Sequence, residues 1–237
     1  MRRKFLTAVW QTLVMLNYEI DPAILRPFVP ARTELDEWNG RSFVSIVGFM
    51  FLDTRVLDIP VPFHRNFEEV NLRFYVRRKG PEGWRRGVVF VKEIVPRWAI
   101  ATVARVVYNE NYVALPMSHQ IAPQNEGLTV TYRWQLKGQQ HEIHAVTKGE
   151  AAFVEAGSEE EFITEHYWGY AAQRDGGTVE YQVEHPSWRV WQVATSRFEC
   201  DVDTLYGPQF AETLNQTPSS AFVADGSPII VRQGERI

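Results

Sequence analysis

Residues 67–95 decide the fold: FEEVNLRFYVRRKGPEGWRRGVVFVKEIV. The first half alternates apolar and polar side chains with a period of two, which is typical of a half-buried β-strand. The apolar members of this alternation are Val70, Leu72, Phe74 and Val76. From Trp84 to Val95 the sequence is more continuously apolar and predicts a strand buried on both faces. The turn residues at 79–83, between the two halves, predict that these strands form a hairpin.

Turn and capping signals extend this reading upstream. Asn39-Gly40 separates residues 34–38 from residues 42–52 and predicts a two-residue hairpin turn with positive φ at both positions. Asp21-Pro22 pairs a good N-cap with a proline at the first helical position, which predicts a short helix over about residues 22–28.

The downstream half continues to alternate between strands and short helices. Pro96 predicts the start of a helix over residues 97–108. Ser158 and Glu161 form a capping box, which predicts a helix that runs to about residue 170. Asp225-Gly226 predicts a hairpin turn within residues 220–232. Further strands are expected at residues 13–20, 112–119, 128–136, 140–148, 178–184 and 188–200, and a helix at 203–214.

This order of elements predicts an α+β protein that is mostly antiparallel β. About ten twisted strands expose edges that a sheet must protect, and closure into a barrel does so. No internal repeat, low-complexity tract or linker divides the chain, so we expect a single domain over residues 1–237.

Composition excludes several classes of protein. Of the 237 residues 45% are hydrophobic and 13% are aromatic, which excludes wholesale disorder and allows a large core. The single cysteine, Cys200, excludes an internal disulfide framework, so a reducing, cytoplasmic location is expected. No apolar run is long enough to predict a membrane span. The basic residues around 77–86 flank the predicted turn, and no recognition helix or zinc finger supports nucleic acid as a partner.

The sequence lacks the common cofactor and nucleophile motifs. There is no phosphate-binding glycine loop, no Gly-x-Gly-x-x-Gly and no Gly-x-Ser-x-Gly. His141 and His144 lie three residues apart in a predicted strand, so they face opposite sides and cannot share a metal ion. We therefore expect neither a cofactor nor a metal site.

A pair of charges interrupts the second strand. Lys92 and Glu93 are neighbours in an apolar run, so one of them faces the interior of the predicted barrel. A buried charge destabilises the fold unless it has a counter-charge or is hydrated. Two interpretations stay open at this point: a structural ion pair, or a charge that lines a ligand cavity. The candidate partners are Glu69, Arg97, Arg105 and Glu110.

Six stretches resemble a known family, the YqjF-like uncharacterised family (a domain of unknown function) of the acetoacetate decarboxylase-like superfamily. They span nearly the whole chain, at residues 39–49, 67–76, 87–97, 104–112, 162–167 and 184–188. The resemblance implies an acetoacetate decarboxylase-like fold, a mostly antiparallel, cone-shaped β-barrel with peripheral helices.

The resemblance also shows where this chain departs from the decarboxylases. Those enzymes form a Schiff base on a lysine that a second lysine activates, and Met117 and Ser118 stand at the matching positions here. The arginine that orients their substrate falls on Gln11, whereas their pocket glutamate matches Glu69. A methionine cannot form an imine, so lysine-dependent decarboxylation is not expected.

These observations lead to one main hypothesis and two alternatives. The main hypothesis is that the barrel interior binds a small organic carbonyl or carboxylate compound. The first alternative is a cofactor-independent acid/base enzyme in which Glu69 is catalytic. The second is a non-catalytic structural or partner-binding protein, and a homo-oligomer is left open. We expect Glu69 to point inward, with Lys92 or Arg97 as its cationic partner. The predicted ligand-binding residues are Arg73, Lys92, Glu93, Arg97, Tyr112 and Met117.

Overall fold

A computed structural model describes residues 2–60, 65–96 and 111–237, and these residues form fifteen strands with a few short helices. The strands are β1 (Lys4–Ile20), β2 (Glu34–Leu35), β3 (Ser42–Val56), β4 (Ile59–Pro60), β5 (Phe67–Gly80), β6 (Gly83–Val95), β7 (Tyr112–Ala114), β8 (Met117–Pro123), β9 (Leu128–Leu136), β10 (Gln139–Phe153), β11 (Trp168–Ala172), β12 (Thr178–Glu184), β13 (Arg189–Glu199), β14 (Ser220–Arg232) and β15 (Glu235–Arg236). The α-helices are α1 (Pro22–Leu25), α2 (Glu159–Thr164), α3 (Val202–Leu205) and α4 (Ala211–Leu214), and 3-10 turns cover Arg26–Phe28 and Pro208–Phe210. The helix expected at 97–108 lies outside the described residues.

Seven of the strands close into a ring. Their order is β12-β11-β6-β5-β3-β1-β14, and β14 pairs back onto β12 where Val183 faces Val231. Within the ring only the contact between β6 and β11 is parallel. The closing contact consists of two residue pairs, Val183 with Val231 and Glu184 with Ile230, and it protects the edge of β12 there. The predicted fold class, mostly antiparallel β with peripheral helices, is confirmed.

A four-stranded extension covers one face of the ring. Strands β13, β10, β9 and β8 continue from β14 in that order, and we call them the wing. The face of the ring strands that packs against the wing and against α3 and α4 is called the outer face. The opposite face, called the inner face, is rich in aromatic side chains and also packs against Phe162 and Ile163 of α2.

Several local predictions need correction: the helix expected at 203–214 is divided into α3, a 3-10 turn and α4, and the strand expected at 112–119 is divided into β7 and β8. Asn39 and Gly40 do form a tight turn with φ of 50° and 75°, but β2 before the turn pairs with β5 rather than with β3. The Ser158 hydroxyl accepts from the Glu161 N–H as a cap should, yet α2 ends at Thr164, because residues 168–172 are needed as a strand between β6 and β12.

The expected hairpin at residues 220–232 is instead one strand, β14. Gly226 has a φ of 86°, and a β-carbon there would collide with the backbone of Trp10 on the neighbouring strand. The Asp225-Gly226 pair therefore serves a close approach between β14 and β1 rather than a chain reversal.

Candidate functional site

Strand β5 carries a row of polar side chains on the inner face. Glu69, Asn71 and Arg73 are 3%, 2% and 8% exposed, and the ring of Tyr75 follows them. The prediction that Glu69 points inward is confirmed. A strand rich in polar groups on a buried face must provide hydrogen bonds or counter-charges for them.

Two buried carboxylates lie at one end of this row. The Asn71 side-chain amide donates to Glu69 Oε1 at 3.0 Å, and the Tyr112 hydroxyl lies 3.5 Å from Glu69 Oε2. Glu93, which lies on β6 and is 1% exposed, is opposite Asn71 of β5 on one side and Tyr112 of β7 on the other. The structure therefore brings together three of the predicted residues, Glu69, Glu93 and Tyr112. Arg97 lies outside the described residues.

Arg73 lies further along the same face and is surrounded differently. Its Nη2 donates to the carbonyl oxygen of Ile163 at 3.2 Å and approaches the sulfur of Met15 at 3.9 Å. Its guanidinium lies 5.6 Å from the centre of the Tyr75 ring, and its buried Nε has no hydrogen-bond partner among the described residues. No carboxylate of the described residues forms an ion pair with Arg73.

A chain of neutral polar groups continues from Tyr75 across the inner face. The Ser45 hydroxyl donates to the side-chain oxygen of Asn17 at 2.6 Å, so the Tyr75 hydroxyl, also at 2.6 Å, must donate to Ser45. The Asn17 amide in turn donates to Ser220 at 2.9 Å. These four groups lie on β1, β3, β5 and β14, so the chain links neighbouring strands of the ring.

A buried histidine and aspartate stand beside Tyr75. Nε2 of His166 lies 3.3 Å from Oδ2 of Asp36, which also accepts from Nε of Arg86 at 2.6 Å. Burial alone would raise the pKa of Asp36, but its hydrogen bonds to His166 and Arg86 outweigh this and lower it. Burial lowers the pKa of His166 to about 4, against the opposing effect of Asp36. The imidazole is therefore neutral at pH 7, with its proton on Nε2 and a bare, buried Nδ1.

Two of the predicted site residues lie elsewhere. The amine of Lys92 donates to the carbonyl of Leu205 at the end of α3, on the outer face, so the prediction that Lys92 partners Glu69 is wrong. A bulge in β6 between Phe90 and Lys92 sets this direction. Met117 begins β8 and packs into the outer-face core. Neither residue contacts Glu69.

No lysine reaches the inner face. All five lysines fall within the described residues: Lys4, Lys79, Lys137 and Lys148 are exposed, and Lys92 is the one already placed against α3. Gln11, at the position of the decarboxylases' arginine, is also exposed. The inner face thus has a buried guanidinium and buried carboxylates but no amine that could form an imine.

Sequence reasoning missed the residues that sit around Arg73. Ser45 and Asn17 look like ordinary polar positions in apolar strands, and only their register across β1, β3 and β5 brings them to Tyr75. His166 and Asp36 are 130 positions apart. One signal points to His166: it lies within residues 162–167, one of the stretches that carry the family resemblance.

Two features are absent from the part of the chain that the structure describes. No helix in this part of the chain is long and apolar enough to cross a membrane. Within residues 2–60, 65–96 and 111–237, no group of three or more His, Cys, Asp or Glu side chains is arranged to hold a metal ion.

Solved structures with the same fold include two enzymes. The enduracididine biosynthesis enzyme MppR, solved in complex with pyruvate, superposes with a TM-score of 0.69 at 11% identity, covering 100% of this chain and 91% of that one. Acetoacetate decarboxylase from Legionella pneumophila superposes with a TM-score of 0.67 at 12% identity, covering 98% and 87%. At such identities the likeness establishes the fold, which is that of acetoacetate decarboxylase.

Sequence comparison identifies the family. The uncharacterized protein YqjF of Bacillus subtilis (strain 168) is 28% identical over 200 residues, which is 83% of this chain and 78% of that protein. The model of the DUF2071 family, described as an uncharacterized conserved protein, matches residues 7–228. The chain therefore belongs to the DUF2071 family.

Proposed function

We propose that the inner face of the ring binds a small organic acid with a carbonyl group, and that Arg73 holds its carboxylate. The observation that carries this proposal is the state of Arg73, a guanidinium that is 8% exposed and has no ion-pair partner among the described residues. A buried charge without a counter-charge is destabilising. A bound carboxylate would supply that charge and could accept two parallel hydrogen bonds from the guanidinium.

Glu69, the carboxylate on the same face of β5, is too far along the strand to fill this role. Glu69 lies four residues before Arg73 on β5, which corresponds to about 13 Å along the strand. Asn71 lies between them and donates to Glu69. The inner face thus carries the Arg73 guanidinium toward one end and the carboxylates of Glu69 and Glu93 toward the other, while the Asp36 carboxylate beside Tyr75 is already paired with Arg86 and His166.

The fold neighbours support the class of ligand. MppR was solved with pyruvate, a carbonyl acid, and acetoacetate decarboxylase is named for another. The absence of lysine from the inner face argues that this chain would bind such an acid without forming an imine with it. We therefore regard pyruvate and acetoacetate as suitable probes.

Binding is tested by titrating the protein with pyruvate and with acetoacetate in a calorimeter. Arg73→Gln should weaken binding by roughly 10- to 100-fold, which is the affinity expected to be lost when a hydrogen bond to a charged group is removed. Arg65→Gln is the matched control, because Arg65 lies just before β5, pairs with Asp53 and is exposed. Equal loss in both variants, or no loss in Arg73→Gln, would contradict the proposal.

The catalytic alternative assigns the acid/base role to Glu69. In this alternative the ligand lies at the Glu69 end of the inner face rather than on Arg73, and the buried Glu69 carboxylate, held by Asn71 and Tyr112, accepts a proton from the carbon next to the ligand's carbonyl, leaving an enolate. Exchange of the pyruvate methyl protons for deuterium in heavy water, followed by NMR, measures this step. The enzyme hypothesis predicts that the wild-type protein catalyses this exchange. Glu69→Gln should abolish the exchange while pyruvate still binds. Binding without exchange favours a non-catalytic binding protein.

A further inference from the structure

Strand β8 ends the wing with a free edge. It pairs with β9 in a regular antiparallel register that runs from Met117 opposite Trp134 to Pro123 opposite Leu128 without a bulge. In the described part of the chain no strand lies on its other side. A regular edge of this kind presents unpaired backbone N–H and C=O groups, and another strand can pair with them.

Two hydrogen bonds show which backbone groups of β8 are unpaired. The N–H of Gln135 donates to the Pro116 carbonyl at 3.0 Å, and the N–H of Gln124 donates to the Gly127 carbonyl at 3.0 Å. Along an antiparallel strand, residues that bond to the neighbouring strand alternate with residues whose N–H and C=O groups point away from it. Both bonds involve even-numbered residues on the β8 side, so the even-numbered residues of β8 bond to β9. The residues with an outward N–H and C=O are therefore Met117, His119 and Ile121.

This edge lacks the features that protect the short edge strands of the same sheet. Strands β2, β4 and β15 are two residues long, and each contains a proline or a charged residue. Short length, charge and proline all discourage pairing with another chain. Strand β8 is seven residues long, its only proline is its last residue, and residues 112–125 contain no Asp, Glu, Lys or Arg. The side chain of His119 bonds to Glu68 of β5, so it is held on the ring side of β8.

The outward residues of β8 are complementary to a second copy of the same strand. When two β8 strands run antiparallel about a two-fold axis at His119, Met117 of one copy lies opposite Ile121 of the other, and His119 lies opposite its own counterpart. Each of these pairs exchanges two backbone hydrogen bonds, so every outward N–H has a C=O to donate to. Because the strand carries no Asp, Glu, Lys or Arg, none of these charges meets its like across the axis.

We propose that β8 is the interface of a homodimer, in which two β8 edges pair in this register and join the wings of the two copies into one continuous sheet. A second copy fits this edge better than an unrelated strand does, because the register that satisfies every outward N–H is symmetric. The contact is small, so we expect a weak dimer with a dissociation constant in the range of roughly micromolar to millimolar. The proposal does not depend on the function proposed for the inner face.

Hydrogen exchange of the β8 amides tests the register directly. Analytical ultracentrifugation first gives the dissociation constant, and amide exchange is then followed by NMR in samples below and above that concentration. The amides of Met117, His119 and Ile121 should be protected only in the concentrated sample. The amides of Ser118 and Gln120, which bond to β9, should be protected in both samples.

Gln120→Lys tests the contact without changing the core. Gln120 is exposed, and in the proposed dimer its two copies lie diagonally across the axis, so two lysines there repel each other. The variant should dimerise about fivefold more weakly than the parent protein, and added salt should reduce the difference. Gln135→Lys is the matched control: Gln135 is also exposed but lies on β9, one strand away from the contact, so this variant should dimerise as the parent does.

Three results would overturn the proposal. The first is a protein that stays monomeric at millimolar concentration. The second is protection of the outward amides in the dilute sample as well, which would mean that something other than a second copy covers the edge. The third is a dimer in which these amides stay unprotected, or in which Gln120→Lys and Gln135→Lys behave alike, because such a dimer forms through another surface.

Discussion

Strand β5 has two faces that are buried to nearly the same degree and differ in chemistry. The outer face is apolar, and its members Val70, Leu72, Phe74 and Val76 are each 0% exposed. The inner face carries Glu69, Asn71, Arg73 and Tyr75, none more than 8% exposed. Period-two alternation is usually taken to separate core from solvent. Here it separates a packing face from a polar face enclosed by the ring. The first face stabilises the core, and the second is the face for which we propose ligand binding.

The largest expected effect is a loss of packing on the outer face. Phe74→Ala removes a fully buried ring from the core between ring and wing, which should reduce the free energy of unfolding by about 3–5 kcal/mol. Urea denaturation measures this. A loss below about 1 kcal/mol would mean that the outer face does not hold the fold together in the way described.

The next effect is a pH dependence that originates at the inner face. Burial lowers the pKa of His166 to about 4 in the folded protein, from about 6.5 in the unfolded chain. Between these two pH values the unfolded state therefore binds more protons than the folded state. The contribution of neutral His166 to the free energy of unfolding is complete above pH 6.5 and is lost as the pH falls toward 4. Over this range the free energy of unfolding should fall by up to about 3 kcal/mol.

His166→Gln should flatten this decline, as followed by urea denaturation at several pH values. A smaller slope should remain, because burial also lowers the pKa of His185. His144→Gln is a control in which the slope should persist, since His144 lies on the wing and bonds to Thr131. A decline of the same size in His166→Gln and in the parent protein would refute the assignment.

A smaller effect is expected at the turn that leads into β3, which contributes to both faces. Gly40 has a φ of 75° with open space around it, so a valine there meets backbone strain rather than a clash. Gly40→Val should cost about 1–3 kcal/mol of unfolding free energy. Calorimetric melting checks this, and an unchanged melting temperature would show that the turn tolerates another conformation.

The smallest expected effect sharpens the contrast most. Arg73→Met keeps the length of the side chain and removes a buried charge, so stability should stay within about 1 kcal/mol of the parent or rise. Urea denaturation of this variant beside Phe74→Ala compares adjacent residues on opposite faces. A loss for Arg73→Met as large as that for Phe74→Ala would make Arg73 a structural residue rather than a binding one.

The strands and turns were largely predictable from sequence, because period-two alternation and the Asn39-Gly40 turn are local signals. The failures arise where a contact with a distant strand overrides a local signal. The Ser158 cap marks only where α2 begins. No helix-terminating signal near residue 165 indicates that the chain forms a strand soon afterwards. Gly226 looks like a turn residue, while its real constraint is the backbone of Trp10 on another strand.

The site was predictable only in part. The alternation placed Glu69 and Arg73 on one face, and the resemblance indicated that this face was internal. The direction of Lys92 depended on a bulge in β6 that the sequence does not reveal. The pairing of Asp36 with His166 joins residues from opposite halves of the chain, and such tertiary contacts have no signature in a single sequence.

The measurement that tests the central claim most directly is the NMR signal of the Arg73 Nε–H group during a pyruvate titration. In the free protein this buried group has no partner among the described residues. The account predicts a saturable downfield shift of the Arg73 signal as a carboxylate binds, with no shift of the exposed Arg65. An Arg73 signal that stays unchanged, or one that moves in parallel with Arg65, would contradict the claim that the inner face is a binding site for small organic acids.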